Sequence, residues 1–234
     1  NYFGYKKYEN CLPQKENTKE LIKLINLYSH GNLPEFEYSE LTDNEKNILL
    51  IHGFNGIPKI FYYFQKELEE QGYKVIIPNF PVREEININT YFKIFDIYRN
   101  IMNEDLIVVA HSIGNPMFIK YICKNNINIG LYISLAGFAE LFHVESKDVL
   151  NQVVKPLKIT DKEKEKNVNL IKEKYSIYSD NDHIVPFKIL EKYSSVVDSK
   201  PVFISGIGHM GKKIGLEELP EVIKIIQESN YKKI

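Results

Sequence analysis

The sequence contains no tryptophan, only two cysteines and no excess of charge of either sign. Cys11 and Cys123 are too few for a disulfide scaffold or a cysteine-rich zinc site, which favours reduced thiols and a cytoplasmic location. The 30 Lys and Arg residues and 31 Asp and Glu residues leave a net charge of −1, without the basic excess typical of a nucleic-acid binder. Apolar runs such as Leu106–Ala110 fall far short of the ~20 residues that cross a bilayer. We therefore expect no nucleic-acid partner and no membrane span.

The chain begins with a polar stretch that differs from the region after it. In residues 1–47, Asn17 and Glu20 fit a helix N-cap with a Glu at the third helical position, and an apolar face at helical spacing follows. We expect an N-terminal helical extension here, which packs on the main domain (residues 48–234), covers its pocket, or contacts a protein partner or a second copy. Residue 1 is Asn, so the sequence is compatible with the loss of a targeting segment from the native start.

Strand and helix patterns alternate from residue 48 onward. Short apolar runs, typical of strands buried on both faces of a parallel sheet, alternate with helical spacing. The alternation predicts an α/β fold with a doubly wound, mostly parallel sheet and helices on both faces. After the fourth strand, the stretch at about 138–172 breaks the rhythm and predicts a short helical cap, in which Thr160 and Glu163 fit a capping box. The predicted strands cover residues 47–51, 74–77, 106–110, 131–135, 175–178 and 202–205, and the predicted helices cover 59–71, 90–103, 113–124, 144–154, 160–173, 186–195 and 217–229.

A serine follows the third predicted strand in the pattern of a nucleophile elbow. Residues 110–114 are Ala-His-Ser-Ile-Gly, and a helical pattern follows at once. Such a turn strains the serine backbone, so the positions two residues to either side need small side chains. Ala110 replaces the more usual glycine at the first of these positions. The strand–turn–helix context predicts that Ser112 is a nucleophile.

Acidic residues and a histidine follow two later strands. Asp180 and Asp182 come directly after the fifth predicted strand, and His209 follows the sixth. A serine hydroxyl needs a base to take its proton, and a carboxylate holds that base in the right tautomer. The carboxyl ends of parallel strands meet at one edge of a sheet, and the chain order serine, acid, histidine is that of an α/β-hydrolase. The pattern predicts a catalytic group of Ser112, His209 and one of the two aspartates.

Backbone amides are expected to supply the donors of an oxyanion hole. The amide of Ile113 follows the predicted nucleophile at a helix N-terminus, where partial positive charge favours an anion. The second donor is expected in the loop at residues 52–56 (His-Gly-Phe-Asn-Gly), with Phe54 as the first candidate and Asn55 as the second. His52 is expected to form structural hydrogen bonds beside this loop.

Four segments of the sequence form a set: His-Gly-Phe-Asn-Gly (52–56), Ala-His-Ser-Ile-Gly (110–114), Ser-Asp-Asn-Asp-His-Ile-Val-Pro (179–186) and Gly-Ile-Gly-His-Met-Gly (206–211). Together they resemble the small serine hydrolases related to retinoblastoma-binding protein nine, within the α/β-hydrolase superfamily. In that family the acid precedes x-x-Val-Pro, which implies Asp182 here and leaves Asp180 as a turn residue. The resemblance also implies an esterase-like or peptidase-like serine hydrolase without a metal or organic cofactor.

Substrate and reaction class follow from the same residues. A small ester, thioester or amide suits a Ser-His-Asp group that passes through an acyl-enzyme, and acyl transfer at this site fits the sequence equally well. The alternative is a catalytically weak or inactive binding or scaffolding protein, which the Ala110 departure and the N-terminal extension motivate. No metal site is expected, because His183 next to Asp182 lacks a third spaced ligand. The candidate substrate contacts are His52, Asn55, Phe138 and Phe142.

Overall fold

The computed structural model of the protein describes residues 46–54, 58–80, 86–145, 147–210 and 219–231. The helix predicted in the N-terminal extension lies outside the described residues, and so do Cys11 and Asn55.

A single parallel sheet forms the centre of the described part of the chain. The six strands lie in the order β2-β1-β3-β4-β5-β6, and each pairs with its neighbours in parallel, which confirms the predicted sheet. β1, β3 and β4 are buried along their whole lengths because both of their faces are covered, as expected for apolar runs in a parallel sheet. The strands are β1 (Asn47–Ile51), β2 (Lys74–Ile76), β3 (Ile107–His111), β4 (Ile129–Leu135), β5 (Ile171–Tyr178) and β6 (Lys200–Phe203).

Helices cover both faces of this sheet. They are α1 (Tyr62–Glu70), α2 (Ile88–Ile97), α3 (Gly114–Asn125), α4 (Asp148–Val154), α5 (Asp161–Leu170), α6 (Phe187–Val197) and α7 (Pro220–Glu228), with 3₁₀ turns at Pro58–Phe61, Arg99–Ile101 and Lys155–Leu157. α1 packs with α7, whereas α2, α3, α5 and α6 form a continuous layer of neighbours. The chain reverses its direction across the sheet between β2 and β3, and right-handed crossovers then put α2, α3, α5 and α6 on the face opposite α1. None of the described helices is long and apolar enough to span a membrane.

The predicted insertion at 138–172 divides into two parts. Its second helix, α5, has the predicted capping box at Thr160 and Glu163, but it packs against α3 and α6 and is therefore a crossover helix of the layer. Glu163 binds Lys120 of α3 at 3.0 Å. The helix also ends earlier than predicted, because the chain becomes strand β5 at Ile171. Only residues 138–160, which include α4, are additional to the alternating pattern.

The strand β6 forms one edge of the sheet. It begins at Lys200, two residues before the predicted start. The Ile204 amide donates a hydrogen bond to the Tyr178 carbonyl at 3.0 Å, so the backbone groups of Ile204 face β5. Because successive residues of a strand point their backbone groups to opposite sides, those of Val202 also face β5, and those of Pro201 and Phe203 face away from it. Proline lacks an N–H and is tolerated at such an outward position of an edge strand.

Candidate active site

Ser112 lies in a tight turn between β3 and α3. Its φ angle is +52°, in the left-handed region that a residue other than glycine seldom adopts. The helix starts so close to β1 that a Cβ added at Gly114 would lie 2.8 Å from Cγ2 of Ile51. Ala110 is fully buried between its strand neighbours Ile51 and Ser134, so a methyl group is accommodated there. The turn has the geometry expected of a nucleophile elbow.

Both backbone groups of Ser112 are tied to the core. Its amide donates to the carbonyl of Leu135 on β4 at 2.9 Å. Its carbonyl accepts from the Asn115 amide at 3.1 Å and from Asn115 Nδ2 at 3.0 Å. Asn115 Nδ2 also donates to the Leu135 carbonyl at 3.1 Å, so one side chain links the turn to the neighbouring strand. These bonds offset the strain of the left-handed turn.

A buried pair of tyrosines supports Asn115 from below. Tyr132 Oη donates to Asn115 Oδ1 at 2.6 Å, and the two tyrosine hydroxyl oxygens, of Tyr132 and Tyr193, lie 2.9 Å apart. Because the Tyr132 proton goes to an oxygen that only accepts, Tyr193 is the donor of the second bond. Burial raises the pKa of both phenols, which keeps them neutral. Sequence reasoning missed this network; its one signal was a polar residue, Asn115, in a helix segment that is otherwise apolar.

The structure brings Ser112, His209 and Asp182 into one chain of hydrogen bonds. Ser112 Oγ lies 3.1 Å from His209 Nε2, and His209 Nδ1 lies 2.7 Å from Asp182 Oδ2. Since a carboxylate only accepts, Nδ1 carries the proton and Nε2 of the neutral ring is free to accept the serine proton. The Ser112 residue is 4% exposed, and the side chain of His209 is 13% exposed.

Asp182 is held in the charged state by its surroundings. Its side chain is fully buried, which disfavours the charge, but His209 and the amides of Ile184 and Val185 all donate to it. These bonds outweigh the burial and hold the pKa of Asp182 below its usual value. Asp180 is exposed and does not contact His209; it accepts from the Gly206 amide instead, at 2.9 Å.

The segment that carries His209 is pinned from the side. We call residues 205–210 the histidine loop and residues 179–182 the acid loop. Ser179 Oγ accepts from the Ile207 amide at 3.1 Å, and Asn181 Oδ1 accepts from the Gly208 amide at 2.6 Å. Asp180 accepts from Ser205 Oγ at 2.8 Å as well as from Gly206. Each residue of the acid loop therefore bonds to the histidine loop, an arrangement that its run of Ser, Asp and Asn residues could have suggested.

The loop after β1 lies directly against Ser112. A Cβ added at Gly53 would lie 2.7 Å from Ser112 Cβ, so glycine is needed for this close approach. Ile113 and Phe54, the predicted amide donors, donate backbone hydrogen bonds to no other residue in the described part of the chain. Within the part of the chain that the structure describes, both amides therefore lack an acceptor, whereas Asn55 lies outside that part.

The predicted substrate contacts occupy different environments. Phe138 is buried and meets the half-buried Phe142 edge to face, with ring centroids 4.9 Å apart. The prediction that His52 contacts the substrate is corrected, because its ring is fully buried and both of its nitrogens bond to the backbone. Nδ1 donates to the Gly53 carbonyl at 3.0 Å, and Nε2 accepts from the Phe80 amide at 3.1 Å. Burial lowers the pKa of His52 to about 4, so the ring is neutral and holds the loop in place.

The described residues contain no group of three His, Cys, Asp or Glu side chains that could hold a metal ion. His183 follows Asp182 in the chain, and its ring centroid lies 6.2 Å from that of His209. It is exposed.

Comparison with known proteins finds relatives and structural neighbours of this chain. YdeN of Bacillus subtilis (strain 168) is 22% identical over 185 residues, which cover 77% of this chain and 94% of YdeN. The crystal structure of the ydeN gene product matches with a TM-score of 0.66 over 77% of this chain and 96% of that chain. A carboxylesterase of the thaumarchaeon Nitrososphaera gargenis (TM-score 0.58, 11% identity, 79% of this chain and 89% of that chain) has the same fold. So does the N-formylmaleamic acid deformylase Nfo of Pseudomonas putida S16 (TM-score 0.56, 10% identity, 77% and 91%).

Residues 48–228 match the family described as Serine hydrolase. This range contains the sheet, the elbow turn and both loops that contact Ser112. The chain therefore belongs to the serine hydrolase family, and its fold is that of the α/β-hydrolases.

Proposed function

We propose that the protein hydrolyses a small ester, thioester or amide through an acyl-enzyme on Ser112. The observation that carries the proposal is the chain of hydrogen bonds from Ser112 through His209 to Asp182, at 3.1 and 2.7 Å. A serine hydroxyl is a weak nucleophile until a base takes its proton, and these distances are within reach for that transfer.

Acylation uses each of the three side chains in a separate role. Ser112 Oγ forms a bond to the carbonyl carbon of the substrate while its proton moves to His209 Nε2. Asp182 keeps the other ring nitrogen protonated and stabilises the imidazolium that forms. His209 then gives the proton to the leaving oxygen, sulfur or nitrogen as the bond from carbon to that atom breaks.

Two amides are proposed to stabilise the oxyanion of the tetrahedral intermediate. Ile113 N–H lies next to the nucleophile at the start of α3, and Phe54 N–H lies in the loop packed on Ser112. Loss of one such donor typically lowers turnover ~10²–10³-fold. Water then gives a proton to His209 and attacks the acyl carbon. The bond from that carbon to Ser112 Oγ breaks, Oγ takes the proton back from His209, and the acid is released.

The fold family supports both ester and amide substrates. One structural neighbour is named a carboxylesterase and another a deformylase. Ester and amide cleavage need the same nucleophile, base and oxyanion donors, so the proposal covers both.

The test is intact-mass analysis after incubation with a fluorophosphonate probe, which phosphonylates an activated serine. We expect one adduct on the wild-type protein and none on Ser112→Ala. Ser195→Ala, which changes an exposed serine on α6 outside both loops, serves as the matched control and should leave the adduct in place. A panel of p-nitrophenyl esters and formyl amides then ranks the acyl and leaving groups.

A folded wild-type protein that forms no adduct and cleaves none of the panel would overturn the proposal. It would favour the alternative of a binding or scaffolding protein that keeps the fold without turnover.

A further inference from the structure

His111, the residue before Ser112, contacts the histidine loop rather than only its neighbours in the sheet. Its Nε2 lies 2.8 Å from the backbone carbonyl oxygen of His209, and the two ring centroids are 4.9 Å apart. Because a carbonyl only accepts, Nε2 of His111 is the protonated donor. The elbow turn and the histidine loop are thereby joined by a hydrogen bond between residues 98 positions apart in the chain.

The bonded carbonyl belongs to a strained peptide. It precedes Met210, whose φ angle of +51° lies in the left-handed region and whose side chain is buried. A left-handed conformation is unfavourable for a residue other than glycine, because Cβ comes too close to the following carbonyl oxygen. Within the histidine loop, the one internal backbone hydrogen bond among the described residues runs from Met210 N–H to Ile207 O at 3.3 Å. The loop therefore depends on outside partners to keep the backbone of His209 in place.

The environment of the His111 ring keeps one tautomer. Nδ1 is buried without a hydrogen-bond partner in the described residues, and a Cβ added at Gly53 would lie 3.0 Å from it. Burial, with a smaller contribution from the charge on His209, lowers the pKa of His111 to about 3. The ring is therefore neutral at working pH, and its single proton stays on Nε2, where the carbonyl of His209 accepts it.

We propose that His111 is a positioning residue, which fixes the backbone of His209 so that Nε2 of that ring stays within reach of Ser112 Oγ. This inference rests on the proposed function, because it assigns a purpose to a bond beside the base of that mechanism. Two partners then hold His209 from different sides: Asp182 orients the ring, and His111 holds the peptide that follows it.

A packing role and a positioning role make different predictions for substitution. Leucine fills much of the volume of an imidazole but has no donor. Glutamine carries an N–H at a reach similar to that of Nε2. If His111 merely fills space, His111→Leu should be tolerated at least as well as His111→Gln. If the hydrogen bond matters, glutamine should rescue what leucine loses.

The experiment compares wild type, His111→Gln and His111→Leu by hydrolysis of p-nitrophenyl acetate and by the rate of fluorophosphonate labelling, with thermal unfolding measured on each. We expect His111→Leu to lower kcat roughly 10- to 100-fold with little change in KM, because a small displacement of a catalytic group is enough for such a loss. We expect His111→Gln to recover most of that rate. A leucine variant as fast as wild type, or a folded glutamine variant as slow as leucine, would overturn the proposal.

A second measurement uses the wild-type protein alone and covers the case in which His111→Leu does not fold. In ¹⁵N-labelled protein, the His111 ring should show a protonated Nε2 and a bare Nδ1 at every pH between about 5 and 8. The Nδ1–H tautomer, or protonation of the ring in that range, would remove the proposed bond. Wild-type labelling at Ser112 tests the proposed function separately, so each hypothesis can fail without the other.

Discussion

Ser112 and His209 face each other across 3.1 Å, yet the two regions that hold them are built differently. Ser112 follows β3, inside the sheet, and its backbone is bonded to β4 and to the buried Asn115. His209 lies beyond the edge strand β6, in a loop whose backbone is held by side chains of the acid loop and by His111.

This difference separates the two kinds of effect that a substitution can have. The position of the nucleophile is a property of the core, so a change beneath the elbow should alter both stability and activity. The position of the base depends on a few hydrogen bonds near the surface, so a change there should lower activity while most of the stability remains.

The largest effect is expected for Asp182→Asn. Asparagine can keep the bonds from the Ile184 and Val185 amides, but it presents the wrong tautomeric partner to His209. We expect kcat for p-nitrophenyl acetate to fall by ~10⁴-fold while circular dichroism stays native. Asp180→Asn is the matched control for the contact with His209, since it makes the same chemical change in a side chain that bonds to Ser205 and Gly206 instead. A loss below tenfold in Asp182→Asn would refute the assigned role.

Asn115→Leu tests the region that depends on the core. Leucine has a similar volume, but it removes the Nδ2 donor that the Ser112 and Leu135 carbonyls share and the oxygen that accepts the Tyr132 hydroxyl proton. We expect the free energy of unfolding to fall by about 2–3 kcal/mol and kcat to fall by ~10²-fold. Urea unfolding and steady-state kinetics on one preparation measure both quantities. A loss of activity with unchanged stability would contradict the distinction between the two regions.

Asn181→Ala is the corresponding change in the surface region. It removes the acceptor of the Gly208 amide, one residue before His209. Because Asn181 is exposed and the amide can bond to water, we expect the free energy of unfolding to change by less than about 1 kcal/mol. We expect kcat to fall roughly tenfold through misplacement of the base. An equal loss of stability in Asn115→Leu and Asn181→Ala would contradict the proposed difference between the core region and the surface region.

The smallest effect is expected from the charge on Asp180. Hydrogen bonds from Gly206 and Ser205 hold the pKa of this exposed carboxyl below its usual value. The charged carboxylate therefore contributes its full stabilisation when the pH is above its unfolded-state pKa of about 3.9. This stabilisation is lost as the pH falls through the lower pKa of the folded state. At pH values above ~5 the Tm of wild type should slightly exceed that of Asp180→Asn, and the difference should disappear in acid. A difference in Tm that grows on acidification would show that folding raises the pKa of Asp180 instead of lowering it.

The sequence patterns predicted most of the sheet but misassigned a boundary at β5. Residues 171–174 (Ile-Lys-Glu-Lys) continue the charged pattern of α5, which led to a predicted helix up to residue 173. In the structure Ile171 pairs with Ile129, and the Lys174 side chain is 5% exposed, with Nζ donating to the Val168 carbonyl. Pairing with β4 decides the conformation here, and a local pattern holds no information about that partner.

The candidate site was predictable to the extent that it follows strand ends. Ser112, Asp182 and His209 each come shortly after an apolar run, and the structure brings them within hydrogen-bond distance of each other. Their catalytic roles stay predictions. The partners of His111 and Asn115 were out of reach, because they depend on how the histidine loop and the tyrosines of β4 and α6 pack in three dimensions.

The outward position of Pro201 affects how the protein behaves when it is concentrated. An unpaired strand edge is a template on which a strand of another molecule can add, and such pairing is a route to aggregation. Pro201 and Phe203 are the two β6 residues whose backbone groups point outward. Because proline has no N–H, only Phe203 can donate a backbone hydrogen bond to an incoming strand. The charged Lys200 beside it further disfavours a flat apolar approach. Within the described sheet, the edge next to the histidine loop therefore offers an incoming strand one hydrogen-bond donor fewer than an ordinary edge strand would.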